Sequence, residues 1–158
     1  MSSEKTILIA EDSEQDLQML LRAFQSAGVQ NPVQVVPDGL EAIRYLSGEG
    51  PYANREKYPF PAILLLDLNM PKQDGFAVLS FLEERSIGSK LLKIVLTGLS
   101  DRKLIDKAYR LGANSFLHKP TRSEDLQNLV HFFKEYWLIL NRLPGPANAS
   151  PRQHLGDF

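Results

Sequence analysis

The chain has 158 residues, enough for one domain with a substantial core. Its hydrophobic content of 43% and charged content of 23% are ordinary for a globular protein, and its net charge of −1 argues against nucleic-acid binding. The absence of cysteine excludes disulfides and thiolate metal sites and fits a cytoplasmic location. No apolar run approaches the ~20 residues of a membrane-spanning helix, so we do not expect a membrane as partner. The net charge likewise leads us to expect no nucleic acid as partner.

Two strand–helix repeats are predicted in the first third of the chain. The run TILIA at 6–10 predicts a buried strand, and apolar residues at helical spacing after it predict a helix that ends near Gly28. The run VQVV at 33–36 predicts a second strand. The segment DGLEAIRYLSG has leucine and isoleucine at helical spacing, which predicts a second helix that ends near Gly48.

A third repeat follows a segment that breaks the pattern. Residues 48–61 contain three prolines and two glycines and predict a long surface loop. The run AILLL at 62–66 predicts the third strand, and so continuous an apolar run indicates helices on both faces of the sheet. The helix after it is indicated by Val78, Leu79 and Leu82.

Two more repeats complete the pattern. The run LKIVL at 92–96 predicts the fourth strand, and the apolar spacing after it predicts a helix that ends near Gly112. The run SFLH at 115–118 predicts a short fifth strand. A long last helix is predicted to begin near Ser123, with the serine hydroxyl as its cap.

Five strand–helix repeats predict an α/β fold, namely a five-stranded parallel sheet with helices on both faces in a flavodoxin-like, doubly wound arrangement. We assign residues 5–142 to this domain. The proline-rich segment 143–158 is predicted to be a flexible C-terminal tail.

Polar side chains follow four of the predicted strands. Glu11 and Asp12 follow the first strand, Asp67 the third, Thr97 the fourth and Lys119 the fifth. Open parallel sheets form their sites beyond the carboxyl ends of the strands, so we expect these five side chains to meet at one rim.

The predicted cluster has the chemistry of a magnesium and phosphoryl site. Carboxylates that crowd together repel one another and favour a bound cation, and ligands that are all oxygen select a hard ion such as Mg²⁺. A carboxylate can serve as a nucleophile and form an aspartyl phosphate, and Asp67 in the middle of the sheet is the best-placed candidate. Lys119 and Thr97 could then bind phosphoryl oxygens.

Four motifs in order give the chain a family resemblance. ILIAEDSEQD, LLLDLNMPKQDG, VLTG and FLHKP together resemble the receiver domain of bacterial two-component response regulators. The resemblance implies that Asp67 accepts a phosphoryl group from a phosphohistidine on a sensor histidine kinase. It also implies that the chain catalyses only its own phosphorylation and dephosphorylation and signals through changed protein–protein interactions.

The resemblance further implies roles for individual residues. Mg²⁺ would be bound by Asp12, Asp67 and the backbone carbonyl of Asn69, with Glu11 assisting through water. Lys119 would pair with the phosphoryl group, and the Lys119–Pro120 bond is often cis in this family.

A switch pair is implied as well. The Thr97 hydroxyl would move toward the phosphoryl group and vacate space for the ring of Phe116, where many family members have tyrosine. Gly98 leaves the site open to water, so we expect a short-lived phosphoryl group.

A finer resemblance concerns the kinase. The loop EGPYANREKYPFP and the segment FFKEYWLILNRLP resemble the small stand-alone receivers that partner cyanobacterial phytochromes. This resemblance implies a phytochrome kinase as the phosphoryl donor.

The last helix has two apolar stripes. Leu126, Val130 and Phe133 belong to the stripe that we expect to pack on the sheet. The second stripe exceeds what a surface helix needs and predicts a homodimer interface, unless the tail folds back over it. It consists of Phe132, Tyr136, Ile139 and Leu143.

Other functions remain open at this point. An aspartate-nucleophile Mg²⁺-dependent phosphatase shares the same chemistry, although that class has D-x-D on its first strand, whereas this strand ends in ED. A phosphate sink, or a pseudo-receiver that acts as a scaffold, is a further alternative.

Overall fold

The computed structural model describes residues 5–140, and five short strands form its centre. They are β1 Ile7–Ala10, β2 Val33–Val36, β3 Ile63–Leu66, β4 Leu92–Thr97 and β5 Ser115–His118. All neighbouring strands are parallel, in the order β2-β1-β3-β4-β5. The predicted five-stranded parallel sheet is therefore confirmed, with β3 in its middle.

Five α-helices connect and follow the strands. They are α1 Glu14–Ser26, α2 Gly39–Ser47, α3 Gly75–Glu84, α4 Arg102–Arg110 and α5 Ser123–Phe133. Single-turn helices Gly50–Tyr52 and Gly88–Lys90 lie in loops, and a π-helical segment, Lys134–Leu140, continues α5. Side chains of Ser13, Asp38, Asp74 and Asp101 cap the first four helices, as such residues commonly do.

The predicted cap of the last helix is wrong. Ser123 is the first residue of α5 rather than its cap. Arg122 occupies the N-cap position, without a capping bond from its side chain to the described backbone. Glu124 and Asp125 in the first turn instead supply negative charge that favours the helix N-terminus.

The sheet separates two hydrophobic cores, which confirms that helices cover both faces. Leu8, Leu64 and Val95 point to one face, where α2, α3 and α4 pack. Side chains at alternate strand positions point to the other face, where α1 and α5 pack. Burial on both faces accounts for the nearly continuous apolar runs of the strands.

The loop at residues 48–61 is ordered around one arginine. The Arg55 guanidinium donates to the carbonyls of Tyr45 at 2.7 Å, Leu46 at 2.9 Å and Tyr58 at 3.1 Å. These bonds tie the loop to the last turn of α2, whose terminal carbonyls lack helical partners. The sequence predicts the loop but not the hydrogen bonds of Arg55 that hold it against α2.

The end of α5 bears the two predicted stripes. Phe133 is buried and Trp137 is half-buried against the core shared with α1, whereas Phe132 and Tyr136 are 70% and 54% exposed. The side chain of Ile139, the residue Leu143 and the predicted tail 143–158 lie outside what the structure describes. Among residues 5–140, no helix has the length and apolar character needed to cross a membrane.

Candidate phosphoryl-acceptor site

The carboxyl ends of the strands converge where the sequence predicts. Asp67 directly follows the central strand β3, and its N–H donates to the Ala10 carbonyl at 3.1 Å, next to Glu11. Thr97 ends β4, and its carbonyl accepts from the Lys119 N–H at 2.7 Å. The sheet hydrogen bonds therefore continue into the site and fix the spacing of its side chains.

The Asp67 carboxylate is held at both oxygens. The Thr97 hydroxyl, which is fully buried, donates to Asp67 Oδ1 at 2.8 Å, and the Asn69 N–H donates to the same oxygen at 3.1 Å. Asp67 Oδ2 lies 3.2 Å from the Lys119 ammonium. This arrangement fixes the orientation of the Asp67 carboxylate and places donors at both of its oxygens.

Lys119 is surrounded by carboxylates. Its ammonium pairs with Glu11, with Asp16 Oδ2 at 3.1 Å and with Asp67 Oδ2. Burial alone would lower the pKa of Lys119, but these carboxylates outweigh it and raise that pKa. The lysine is therefore a permanent positive charge at neutral pH.

Burial dominates the titration of Glu11. Loss of hydration raises the pKa of Glu11 to about 7, and the negative charge of Asp67 adds to this effect. The hydrogen bond and charge of Lys119 act in the opposite direction. Glu11 therefore keeps its proton to a higher pH than an exposed glutamate does.

Three acids can share a cation. Oxygen atoms of Glu11, Asp12 and Asp67 all lie within 4.8 Å of one another. Asp12 is exposed while the other two are buried, so the cluster opens to solvent on one side. A set of carboxylate oxygens of this kind fits a hard divalent cation.

A cavity of about 400 Å³ opens beside the acids. Asp67, Asn69, Thr97 and Lys119 line it, together with the nearby Gly98. A side chain at Gly98 would meet nothing within 4 Å, which agrees with the open site expected from the sequence. Its apolar border includes Met19, Leu99, Pro120 and Leu126.

Phe116 lies on the edge strand β5, with its side chain packed against the α2–α3–α4 core. Its backbone N–H donates to the Tyr109 hydroxyl of α4 at 3.1 Å. Phe116 and Thr97 occupy neighbouring strands, where Val95 pairs with Phe116 and Thr97 pairs with His118. Their roles as a switch pair stay a prediction.

Two contacts near the site are absent from the sequence-based description. Asp16 pairs with Lys119, and its position four residues after Asp12, at the start of a helix, is the signal that could have found it. No pattern in the sequence indicates the bond between Tyr109 and β5. The Lys119–Pro120 bond is trans in this structure, unlike the cis bond that is often found in the family.

Curated relatives cover nearly the whole chain. The probable methanogenesis regulatory protein FilR2 of Methanothrix harundinacea is 37% identical over 144 residues, which cover 89% of this chain and 88% of that protein. The response regulator Rcp1 of Synechocystis sp. is 31% identical over 140 residues, with coverages of 89% and 93%.

Solved structures agree in fold. The phosphorylated cyanobacterial phytochrome response regulator RcpA matches with a TM-score of 0.83 at 32% identity, covering 90% of this chain and 100% of that chain. The Mn²⁺-bound form of Rcp1 matches with a TM-score of 0.80 at 30% identity, covering 89% and 99%. The resemblance to phytochrome-associated regulators expected from the sequence is confirmed.

The family assignment agrees with the geometry. A model of the response regulator receiver domain matches residues 7–131, which include Glu11, Asp67, Thr97 and Lys119. The fold, the convergence of these residues and the match over most of the chain lead to one conclusion. The chain belongs to the response regulator receiver domain family of two-component signalling.

Proposed function

We propose that Asp67 accepts a phosphoryl group from a phosphohistidine of a sensor histidine kinase. The observation that carries this proposal is the orientation of Asp67, with Thr97 on one oxygen and Lys119 on the other. One Asp67 oxygen forms a bond to phosphorus while the phosphorus–nitrogen bond breaks. The electron pair of that bond stays with the imidazole nitrogen of the kinase.

The residues around Asp67 have two different roles in this proposal: some donate hydrogen bonds and others bind a cation. Thr97 and Lys119 donate to oxygens that carry charge during transfer, which favours the reaction through positioning and electrostatics. Glu11, Asp12 and Asp67 would hold a divalent cation, for which we propose Mg²⁺, and Asn69 would add its carbonyl. When bound, this cation neutralises negative charge on the transferring group.

The test is phosphorylation by acetyl phosphate in the presence of Mg²⁺, followed by intact-mass measurement. We expect a gain of about 80 Da, one phosphoryl group, in the wild type and none in Asp67→Asn. Asp74→Asn is the matched control, because Asp74 caps α3 and asparagine caps helices equally well. An unmodified wild type, or a modified Asp67→Asn, would refute the assignment.

We also propose that a phytochrome kinase is the donor. Support comes from the similarity to RcpA, a phytochrome response regulator, over 90% of this chain. FilR2, which is 37% identical, is not named for phytochrome, so a direct comparison of donors is needed. Phosphotransfer should be at least tenfold faster from a phytochrome kinase than from an unrelated histidine kinase, and equal rates would contradict the proposal.

We propose that phosphorylation acts through protein–protein contacts and that one of these is a homodimer. Support comes from Phe132 and Tyr136, two large side chains exposed on α5 and the segment after it. An exposed aromatic patch of this kind favours association, and a two-fold dimer buries the same patch on both copies.

A further inference from the structure

The ammonium of Lys119 is shared by three carboxylates. It donates to Glu11, to Asp16 at 3.1 Å and to Asp67 at 3.2 Å. A lysine ammonium has three protons, so each carboxylate accepts one and none is left for a further acceptor. Any group that enters the site must therefore exchange with a bond already made.

A phosphoryl group on Asp67 would demand such an exchange. The phosphoryl group has three terminal oxygens and carries up to about two negative charges. It can therefore accept more than the single Lys119 proton that Asp67 accepts now. The phosphoryl group can take over the proton that Lys119 now donates to Asp67, and a second lysine proton would have to come from the bond to Glu11 or from the bond to Asp16.

Exposure decides which carboxylate gives way. The Glu11 side chain is 5% exposed, so water has little access to replace the lysine proton there. The Asp16 side chain is 42% exposed, so water can replace the lysine there. Asp16 is the most exposed of the three partners of Lys119, so its bond is the one that water can replace most readily.

The position of Asp16 is fixed by its own helix. Its N–H donates to the capping hydroxyl of Ser13 at 3.2 Å, so its backbone is held in the first turn of α1. The residue also lines the cavity beside Asp67. If Lys119 moved away, the negative charge of Asp16 would face the phosphoryl group on Asp67 without a positive charge between them.

We propose that Asp16 is a positioning residue that holds Lys119 toward α1 and competes with the phosphoryl group on Asp67 for the lysine protons. The inference rests on the proposed phosphoryl-acceptor function of Asp67. Its consequence is that Asp16 destabilises the phosphorylated form and favours return to the unphosphorylated one.

Equilibrium binding of beryllofluoride, a tetrahedral mimic of the phosphoryl group, tests this inference in buffer that contains Mg²⁺. Fluorine NMR measures the bound fraction in the wild type, Asp16→Asn and Asp16→Ala. We expect about threefold to fivefold tighter binding in both variants, the range of a partly exposed ion pair. Glu14→Gln is the matched control. It removes an acid from the same helix turn, but the Glu14 carboxylate accepts from Gln18 rather than from Lys119.

A second measurement separates positioning from general charge or stability effects. The NMR signal of the Lys119 ammonium, assigned by its loss in Lys119→Arg, should shift in Asp16→Asn and stay in place in Glu14→Gln. An unshifted signal in Asp16→Asn would overturn the inference. So would equal or weaker beryllofluoride binding in the Asp16 variants while the wild type binds. If the wild type itself binds no beryllofluoride, the proposed function fails and the inference fails with it.

Discussion

Gly98 is the residue beside the candidate site that we expect to influence the lifetime of a phosphoryl group on Asp67. It follows Thr97 and lines the cavity beside Asp67. A Cβ at this position would meet nothing within 4 Å, so the space next to the acceptor is open to water. An acyl phosphate here is therefore accessible to hydrolysis from this side.

Gly98→Val should lengthen the half-life of the phosphoryl group about threefold or more, because the isopropyl group would fill the approach of water. The measurement is loss of the added phosphoryl mass after the donor has been removed. Gly50→Val is a control in open space far from the site, although its positive φ of 56° makes some destabilisation expected. A half-life unchanged in Gly98→Val would contradict this explanation.

Glu11 makes the stability of the metal-free protein depend on pH. Its folded-state pKa of about 7 lies above the ordinary value of 4.5, so the folded chain binds the extra proton between these values. Stability contributed by that proton is present at low pH and is lost as the pH rises toward 7.

With a chelator present, we expect the free energy of unfolding of the wild type to fall by about 1–2 kcal/mol from pH 5 to pH 7.5, relative to Glu11→Gln. Glutamine mimics the protonated acid and removes the titration. Urea unfolding at several pH values measures the difference. If the free energies of unfolding of the wild type and Glu11→Gln changed with pH in parallel, Glu11 would have the ordinary pKa of a glutamate.

At the scale of elements, the loop at 48–61 depends on Arg55. Its guanidinium donates hydrogen bonds to two carbonyls in the last turn of α2 and to one carbonyl in the loop itself. Tyr52 adds a bond from its hydroxyl to Glu41 Oε2 at 2.7 Å, which lowers the pKa of Glu41. The loop is thus part of the packed structure.

Arg55→Met should lower the free energy of unfolding by about 2–4 kcal/mol, because it leaves several part-buried carbonyls without their charged donor. Arg22→Met, at an exposed position of α1, is the matched control and should change stability by less than about 0.5 kcal/mol. Denaturant unfolding measures both. An Arg55→Met variant as stable as the control would mean that the loop contributes little.

At the scale of the whole molecule, the candidate site and the exposed aromatic patch lie on different parts of the fold. The site lies at the carboxyl ends of the strands, whereas Phe132 and Tyr136 lie on the last helix and the π-helical segment. The helix α5 packs beside α1, which carries Asp16.

Phe132→Glu combined with Tyr136→Glu should convert a dimer into a monomer. Sedimentation should then report a mass of 17.8 kDa for the variant and twice that value for the wild type. Lys103→Gln combined with Arg110→Gln, at two exposed positions of α4, changes the net charge equally and controls for the added charge. The same mass for the aromatic double variant and the wild type would exclude this patch as the interface.

Local patterns in the sequence determined the order and the type of the five strands and the five α-helices. The runs at 33–36 and 115–118 match β2 and β5 in full, although these edge strands are only partly buried and contain polar residues, because short β-branched or aromatic runs between helical segments identify strands. Asp67, Thr97 and Lys119 could be assigned to one rim for a related reason, since every parallel strand ends at the same edge.

The tertiary structure alone decided the contacts between distant segments. It placed Asp16 on Lys119, 103 residues away along the chain, and fastened the loop at 48–61 with Arg55. It also showed that a Cβ at Gly39 would overlap the Gln73 carbonyl in the loop after Asp67. Sequence periodicity reports which face of an element is buried, whereas side-chain partners and pKa shifts depend on how the packed elements meet in space.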